Sequence, residues 1–183
     1  MKYAKLTPNL FDTSFLKNIA NELVDENWRE FTDVQALQIF TDTYKILVDD
    51  YEQLQEIKKV YPKLNSYIKI IKMDPNGTWP LTTMPGHSGS DVCIPIENPL
   101  LSATFWNGCK EADEIEDYYG NEFGYWENND YVSYYTGGEK AYTHILSDIS
   151  VMDATIPRQF INSTDTLGIY MVWRYDGDLE DFK

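Results

Sequence analysis

Apolar positions along this chain recur first at three- and four-residue spacing and later at every second residue. In DTSFLKNIANELVDENW, Phe15, Leu16, Ile19, Leu23 and Val24 fall on one face of a helix, and Asp12 or Thr13 can cap its first turn. In TDVQALQIFTDTYKILVDDYEQLQEIKKVYP, the residues Val34, Leu37, Phe40, Tyr44, Leu47, Tyr51, Leu54 and Ile57 stand three or four apart. Thr32 or Asp33 can cap this second segment and Pro62 stops it. The spacing predicts one long helix, or two with a break near Asp49 and Asp50. Residues 1–62 are therefore expected to form a helical N-terminal part whose apolar stripes are buried as core.

From Leu64 onward the period shortens. NSYIKIIKM carries β-branched residues in partial alternation and ends in the turn DPNG; DVCIPIEN and LSATFWNG follow as short strands around an Asn98-Pro99 turn. The next segment is rich in acid, Tyr and Gly, with eight carboxylates and no basic residue between Glu111 and Asp130. So much like charge does not enter a tight core, so residues 110–140 read as a solvated insertion carrying short aromatic strands. Strands return at HILSDISVMDA and TLGIYMVWRYD, and the tail DGDLEDFK is expected to be mobile. No repeat or Ser/Gly linker divides the chain, which predicts a single domain over 1–183. Helices followed by strands predict an α+β fold, the helices covering one face of a sandwich or barrel.

Composition sharpens this picture at three points. Fourteen Tyr and five Trp suit pleated, half-buried surfaces. A net charge of −15 repels a phosphate backbone, so no direct nucleic-acid binding is expected; its plain role is solubility. No apolar run approaches the roughly 20 residues of a membrane span, and MKYAKLTPNLFDTSF lacks the apolar stretch of a secretion signal, so a cytoplasmic location is expected. Cys93 and Cys109 lie in no Cys-x-x-Cys pair and are expected as free thiols, with no structural zinc.

Two stretches resemble a known family. IKIIKMDPNGTWPLTTMPGHSGSDVCIPIENPLLSATFW resembles the first half of the double-stranded β-helix of iron(II)/2-oxoglutarate oxygenases, in the aspartyl/asparaginyl- and prolyl-hydroxylase-like versions of tailed phages. There a Gly/Pro turn leads to His-x-Asp and then to a strand reading Ile-Asn-Ile-Pro-Ile; VCIPIEN matches that strand, with Cys93 in place of the Asn. ISVMDATIPRQFINSTDTLGIYMVWRY resembles the second half, which runs through Pro-His and Val-x-Asn to an Arg on the final strand. The resemblance implies a jelly-roll, cupin-like barrel over 64–175 behind N-terminal helices. It also implies a phage-encoded protein of the host cytoplasm or the virion.

In such a family two histidines and a carboxylate hold iron, and an Arg forks onto 2-oxoglutarate. Here those positions carry other residues. Counting back from CIPI places Thr82 or Thr83, then Met84 or Pro85, at His-x-Asp. Sliding the frame forward recovers His87 but puts Gly89 at the carboxylate position. Asp91 then lies four residues on, roughly 13 Å along a flat strand, unless Ser88, Gly89 and Ser90 turn tightly. The Pro-His falls on Pro157-Arg158, and the 2-oxoglutarate Arg on Leu167 or Gly168, six residues short of Arg174.

Three readings follow. In the first, a degenerate oxygenase-like jelly roll serves as a non-catalytic binding or structural module without a cofactor, its pocket near His87, Asp91, Cys93 and Arg158. Arg158 would pair with an acidic group or hold an anion, unless it is simply a surface residue at a strand end. In the second, the chain is an active iron(II)/2-oxoglutarate hydroxylase whose metal ligands are His87, Asp91 and His144. In the third, Glu111, Asp113, Glu114, Glu116 and Asp117, with Tyr118, Tyr119, Tyr125 and Trp126 interleaved, imitate a phosphate surface for a protein partner such as a host factor; an ordinary exposed hairpin has the same composition. The first reading accounts for all the substitutions together.

Overall fold

A computed structural model describes residues 3–23, 29–30, 41–79, 81–83, 89–111 and 133–182. The first third of the chain holds strand β1 (Ala4–Leu6), helix α1 (Leu16–Leu23), β2 (Arg29–Glu30), β3 (Thr41–Leu47) and helix α2 (Glu52–Val60). Strands follow: β4 (Leu64–Met73), β5 (Thr82–Thr83), β6 (Ser90–Glu97), β7 (Ser102–Asn107), β8 (Lys110–Glu111) and β9 (Ser133–Thr136). The last four are β10 (Glu139–Ile145), β11 (Ser150–Asp153), β12 (Arg158–Ile161) and β13 (Gly168–Tyr175).

Eight of these strands pair as a long hairpin rolled on itself. The first meets the last (β4 with β13), the second the seventh (β5 with β12), the third the sixth (β6 with β11) and the fourth the fifth (β7 with β10), all antiparallel. Rolling then sets β13 beside β6 and β12 beside β7. This is the connectivity of a jelly roll. The first sheet runs β1-β11-β6-β13-β4-β3-β2 and the second β10-β7-β12-β5-β9-β8.

Strand alternation sorts the core into two compartments. Ile68, Ile70, Val92, Ile94, Met171 and Trp173 point away from the second sheet and share a cluster with Leu16, Ile19, Ala20 and Leu23 of α1 and Leu54 and Ile57 of α2. Their neighbours Ile71, Met73, Cys93 and Tyr170 point inward and meet Ala103, Phe105 and Phe160 of the second sheet. The central strands of the first sheet are thus covered on both faces. That is why YIKII and GIYMVW read as near-continuous apolar runs rather than clean alternations.

Two expectations need correction. The stretch Thr41–Leu47, expected as helix, is a strand paired along its length with β4. Its TDTYKIL is rich in β-branched and aromatic residues, and the open edge of β4 offers a ladder that outweighs a coincidental helical spacing. Residues 31–40 of that expected helix lie outside the described residues. A 3₁₀ turn over Val48–Asp50 separates β3 from α2. The tail is not loose either: Leu179 and Phe182 are buried, Phe182 meets the Tyr175 ring edge-on at 4.6 Å, and Asp181 accepts from Lys63 at 2.9 Å and Tyr175 at 3.1 Å. Two apolar residues within DLEDF are enough to dock it.

The end of the roll opposite the start of β6 is closed by Asn162, which is fully buried. Its Nδ2 reaches the carbonyls of Met73 (3.2 Å), Asp74 (3.0 Å) and Thr166 (2.8 Å), and its Oδ1 accepts from the Thr164 amide at 3.1 Å. Asn162→Ala would leave buried carbonyls without donors and is expected to lower the unfolding free energy by about 3 kcal/mol in urea titration. Leu100→Ala, at an exposed turn, is expected to change it by less than about 0.5 kcal/mol.

Candidate functional site: a buried carboxylate between two arginines

The site begins at a glycine. Gly89 has φ +149°, and a Cβ there would come within 2.5 Å of the Tyr175 carbonyl oxygen. Without a side chain, the entry to β6 lies tight on the end of β13, and Asp91 is set directly opposite Arg174. Alternation then aims Asp91, like Cys93 two residues on, into the space between the sheets; Arg174 follows Val172 and Tyr170 to the same side. From the second sheet, Arg158 opens β12 with the inward parity of Phe160.

These three side chains meet. Arg158 Nη2 donates to Asp91 Oδ2, while Nη1 donates to the Ala154 carbonyl at 3.1 Å. Ala154 in turn donates its amide to the Gly89 carbonyl at 3.1 Å, so the loop holding the arginine is tied to the glycine that positions the aspartate. Arg174 Nε lies 3.8 Å from Asp91 Oδ1. Asp91 is 1% exposed, Arg158 5% and Arg174 8%. Removed from water, a carboxylate and a guanidinium each carry a desolvation cost that only close pairing offsets. Breaking the pair therefore costs more than the pair contributes.

On the β4 side of Arg174, Asn65, Tyr67 and Lys69 extend the polar surface. With Asp91, Val172 and Arg174 they line a half-open cleft floored by the inner face of β4, β13 and β6. Deeper in, the interior turns apolar. Burial pushes the Tyr170 hydroxyl well above its ordinary value, and pushes the Cys93 thiol up as well. Cys93 sits 3.9 Å from the Met152 sulfur and stays a thiol, unsuited to act as a nucleophile.

Of the residues expected to share a pocket, Asp91 and Arg158 are in contact, Cys93 lies beside them on the inner face, and His87 lies outside the described residues. His144 belongs to a different set: its Nε2 is 2.8 Å from Ser150 Oγ and its Nδ1 3.4 Å from the Tyr142 hydroxyl. Ser150 Oγ donates to the Asp148 carbonyl, which leaves it as acceptor and places the imidazole hydrogen on Nε2. Among the described residues no three His, Cys, Asp or Glu side chains converge as a metal site would require. Asp113, Glu114, Glu116, Asp117, Tyr118, Tyr119, Tyr125 and Trp126 lie outside the described residues, and Glu111 ends β8 opposite Tyr135. Lys69 and the inward role of Arg174 escaped the sequence reading. The signal was there: each is a charge at the inward parity of its strand next to apolar inward neighbours, Lys69 before Ile71 and Met73, and Arg174 after Tyr170 and Val172.

No family profile and no curated protein sequence matches the chain. Among solved structures it is similar to hazelnut (Corylus avellana) vicilin at 10% identity and TM-score 0.45, over 84% of this chain and 32% of that one. It is also similar to vicilin from Solanum melongena (12%, TM-score 0.44, 85% and 32%) and to a formate complex of oxalate decarboxylase from Lactobacillus farciminis (11%, TM-score 0.43, 84% and 32%). The chain spans about a third of the length of these proteins. Among the described residues no helix is long and apolar enough to cross a membrane.

Two outcomes follow from the geometry. Arg158→Met and Asp91→Asn are each expected to cost about 3–5 kcal/mol of unfolding free energy. The double variant should lose at least about 1.5 kcal/mol less than their sum, as read by a double-mutant cycle in urea. Burial also lowers the tendency of His144 to take a proton. The unfolded chain protonates it first as pH falls, so its contribution to stability is complete above about pH 6.5 and drains away below. His144→Gln is expected to flatten the fall in melting temperature between about pH 7 and pH 5; an unchanged slope would contradict that role.

Proposed function

We propose that the chain is a jelly-roll binding module without iron chemistry, in which a buried ion pair stands where the resembled oxygenases hold metal. The observation that carries this reading is the contact between Arg158 and Asp91. Arg158 opens the seventh strand of the roll, the place where the resemblance puts the second histidine. A guanidinium has five donors and no lone pair to offer a metal, and its charge repels a divalent cation. Asp91, the one inward carboxylate at that end among the described residues, is engaged by Arg158 on one oxygen and approached by Arg174 on the other. These residues do not fit an iron centre. What they fit is a polar chamber held rigid at the mouth of the roll, with the cleft beside it as the binding surface. In a phage, such a module would act in the host cytoplasm without oxygen or 2-oxoglutarate.

Anaerobic calorimetry with iron(II) and 2-oxoglutarate tests this. No saturable heat and no weak visible absorption band are expected. One-to-one binding that Asp91→Asn abolishes would overturn the reading in favour of an oxygenase.

A further inference from the structure

We infer that the Asn107-Gly108 pair is a self-modifying site, whose side-chain amide is lost to water through a succinimide ring, making a slow charge switch at the seam of β7 and β10. This goes beyond the proposed binding role and does not depend on it. The sequence holds two Asn-Gly pairs, Asn76-Gly77 and Asn107-Gly108, alike in chemistry. In such a pair the glycine amide nitrogen gives its proton to water and attacks the asparagine Cγ, and glycine has no side chain to obstruct the approach. The bond from Cγ to Nδ2 breaks and that nitrogen leaves as ammonia. Water then opens the ring at either carbonyl, giving an aspartyl or an isoaspartyl linkage. One water is consumed for each ammonia released, and no oxidant or reductant takes part.

The fold separates the two pairs. Gly77 is buried, its amide donates to the Asp74 carbonyl at 2.9 Å, and a Cβ there would stand 2.9 Å from that same oxygen. The Asn76 amide donates to the Thr164 carbonyl at 3.0 Å, so the turn is held on both sides. The nitrogen that must attack is bound and shielded, and its peptide cannot rotate unless the turn opens. Asn107 and Gly108 are both exposed. Gly108 has φ +68°, and a Cβ built on it would meet no atom within 4 Å. Its peptide has room to rotate, and water reaches its amide. Asn107 Nδ2 donates to the Tyr3 hydroxyl at 3.0 Å, an exposed bond that water can replace. Asn107 also stands opposite Glu139 in the terminal rung of the ladder between β7 and β10, where local opening costs least. Conversion sets a carboxylate against the one already there, and like charges directly opposite each other oppose strand pairing.

The test incubates the full chain, folded or unfolded in guanidinium chloride, in mildly alkaline water enriched in the heavy oxygen isotope. Chymotryptic peptides cut afterwards in ordinary water are read by mass spectrometry, so that only conversion during the incubation carries the label. In the folded protein Asn107 is expected to convert at least about tenfold faster than Asn76, the factor that releasing one amide from a native hydrogen bond produces. In the unfolded chain the two should convert at similar rates. The converted protein is expected to melt at a lower temperature than the fresh one. Asn107→Gln, whose longer side chain closes the ring far less readily, should keep its melting temperature through the same incubation. Asn76 keeping pace with Asn107 in the folded protein overturns the inference. So does an unchanged Asn107 in the folded protein when the unfolded chain converts there. Conversion without a fall in melting temperature overturns the switch.

Discussion

One buried contact between the two sheets organises the polar end of this jelly roll. Asp91 belongs to the first sheet and Arg158 to the second, sixty-seven residues later in the chain. Neither can return to water without leaving the other charged in the interior, so the sheets are locked in register at the mouth of the roll while apolar side chains fill the remainder. A leucine and a methionine of matched volume would pack the same space at no greater cost in stability, because desolvation consumes much of what the attraction provides. The pair therefore defines one arrangement of the sheets more than it deepens the fold.

Its surroundings are arranged around it. Gly89 brings β6 close to β13, the Gly89 carbonyl holds the Ala154 amide, and the Ala154 carbonyl holds the other arm of the guanidinium. Arg174 closes the circle from the neighbouring strand. At the other end, where charge would have no use, Asn98 and Asn162 tie the closing loops with neutral hydrogen bonds. The interior is divided: polar and positively charged where the roll opens, apolar in the middle, neutral and hydrogen-bonded where it shuts.

Much of this was legible in the amino-acid sequence. The β4, β6, β7 and β13 strands follow directly from IKIIKM, DVCIPI, SATFW and GIYMVW, and α1 from its stripe of Leu16, Ile19 and Leu23. The strand at Thr41–Leu47 was hidden because Tyr44 and Leu47 also satisfy a helical spacing, and only the edge of β4, a tertiary fact, decides between them. Arg158 was visible as a cation where the resemblance expects a histidine, and Asp91 as a candidate in the same pocket, yet the contact between them was not, since local pattern says nothing about contacts between strands far apart in the chain. A parity argument comes nearer: Lys69, Asp91, Arg158 and Arg174 each occupy the inward position of their strand, and charges so placed must find one another or a ligand.

The seating of Arg158 on Asp91 is thus the contact from which the rest follows. Diffraction from crystals grown anaerobically with iron(II), recorded at the iron absorption edge, examines that place directly. With Arg158 seated on Asp91, the anomalous map around the carboxylate is flat and the guanidinium stays within hydrogen-bonding distance of it. An anomalous peak bonded to Asp91, with Arg158 turned away from it, would contradict that account.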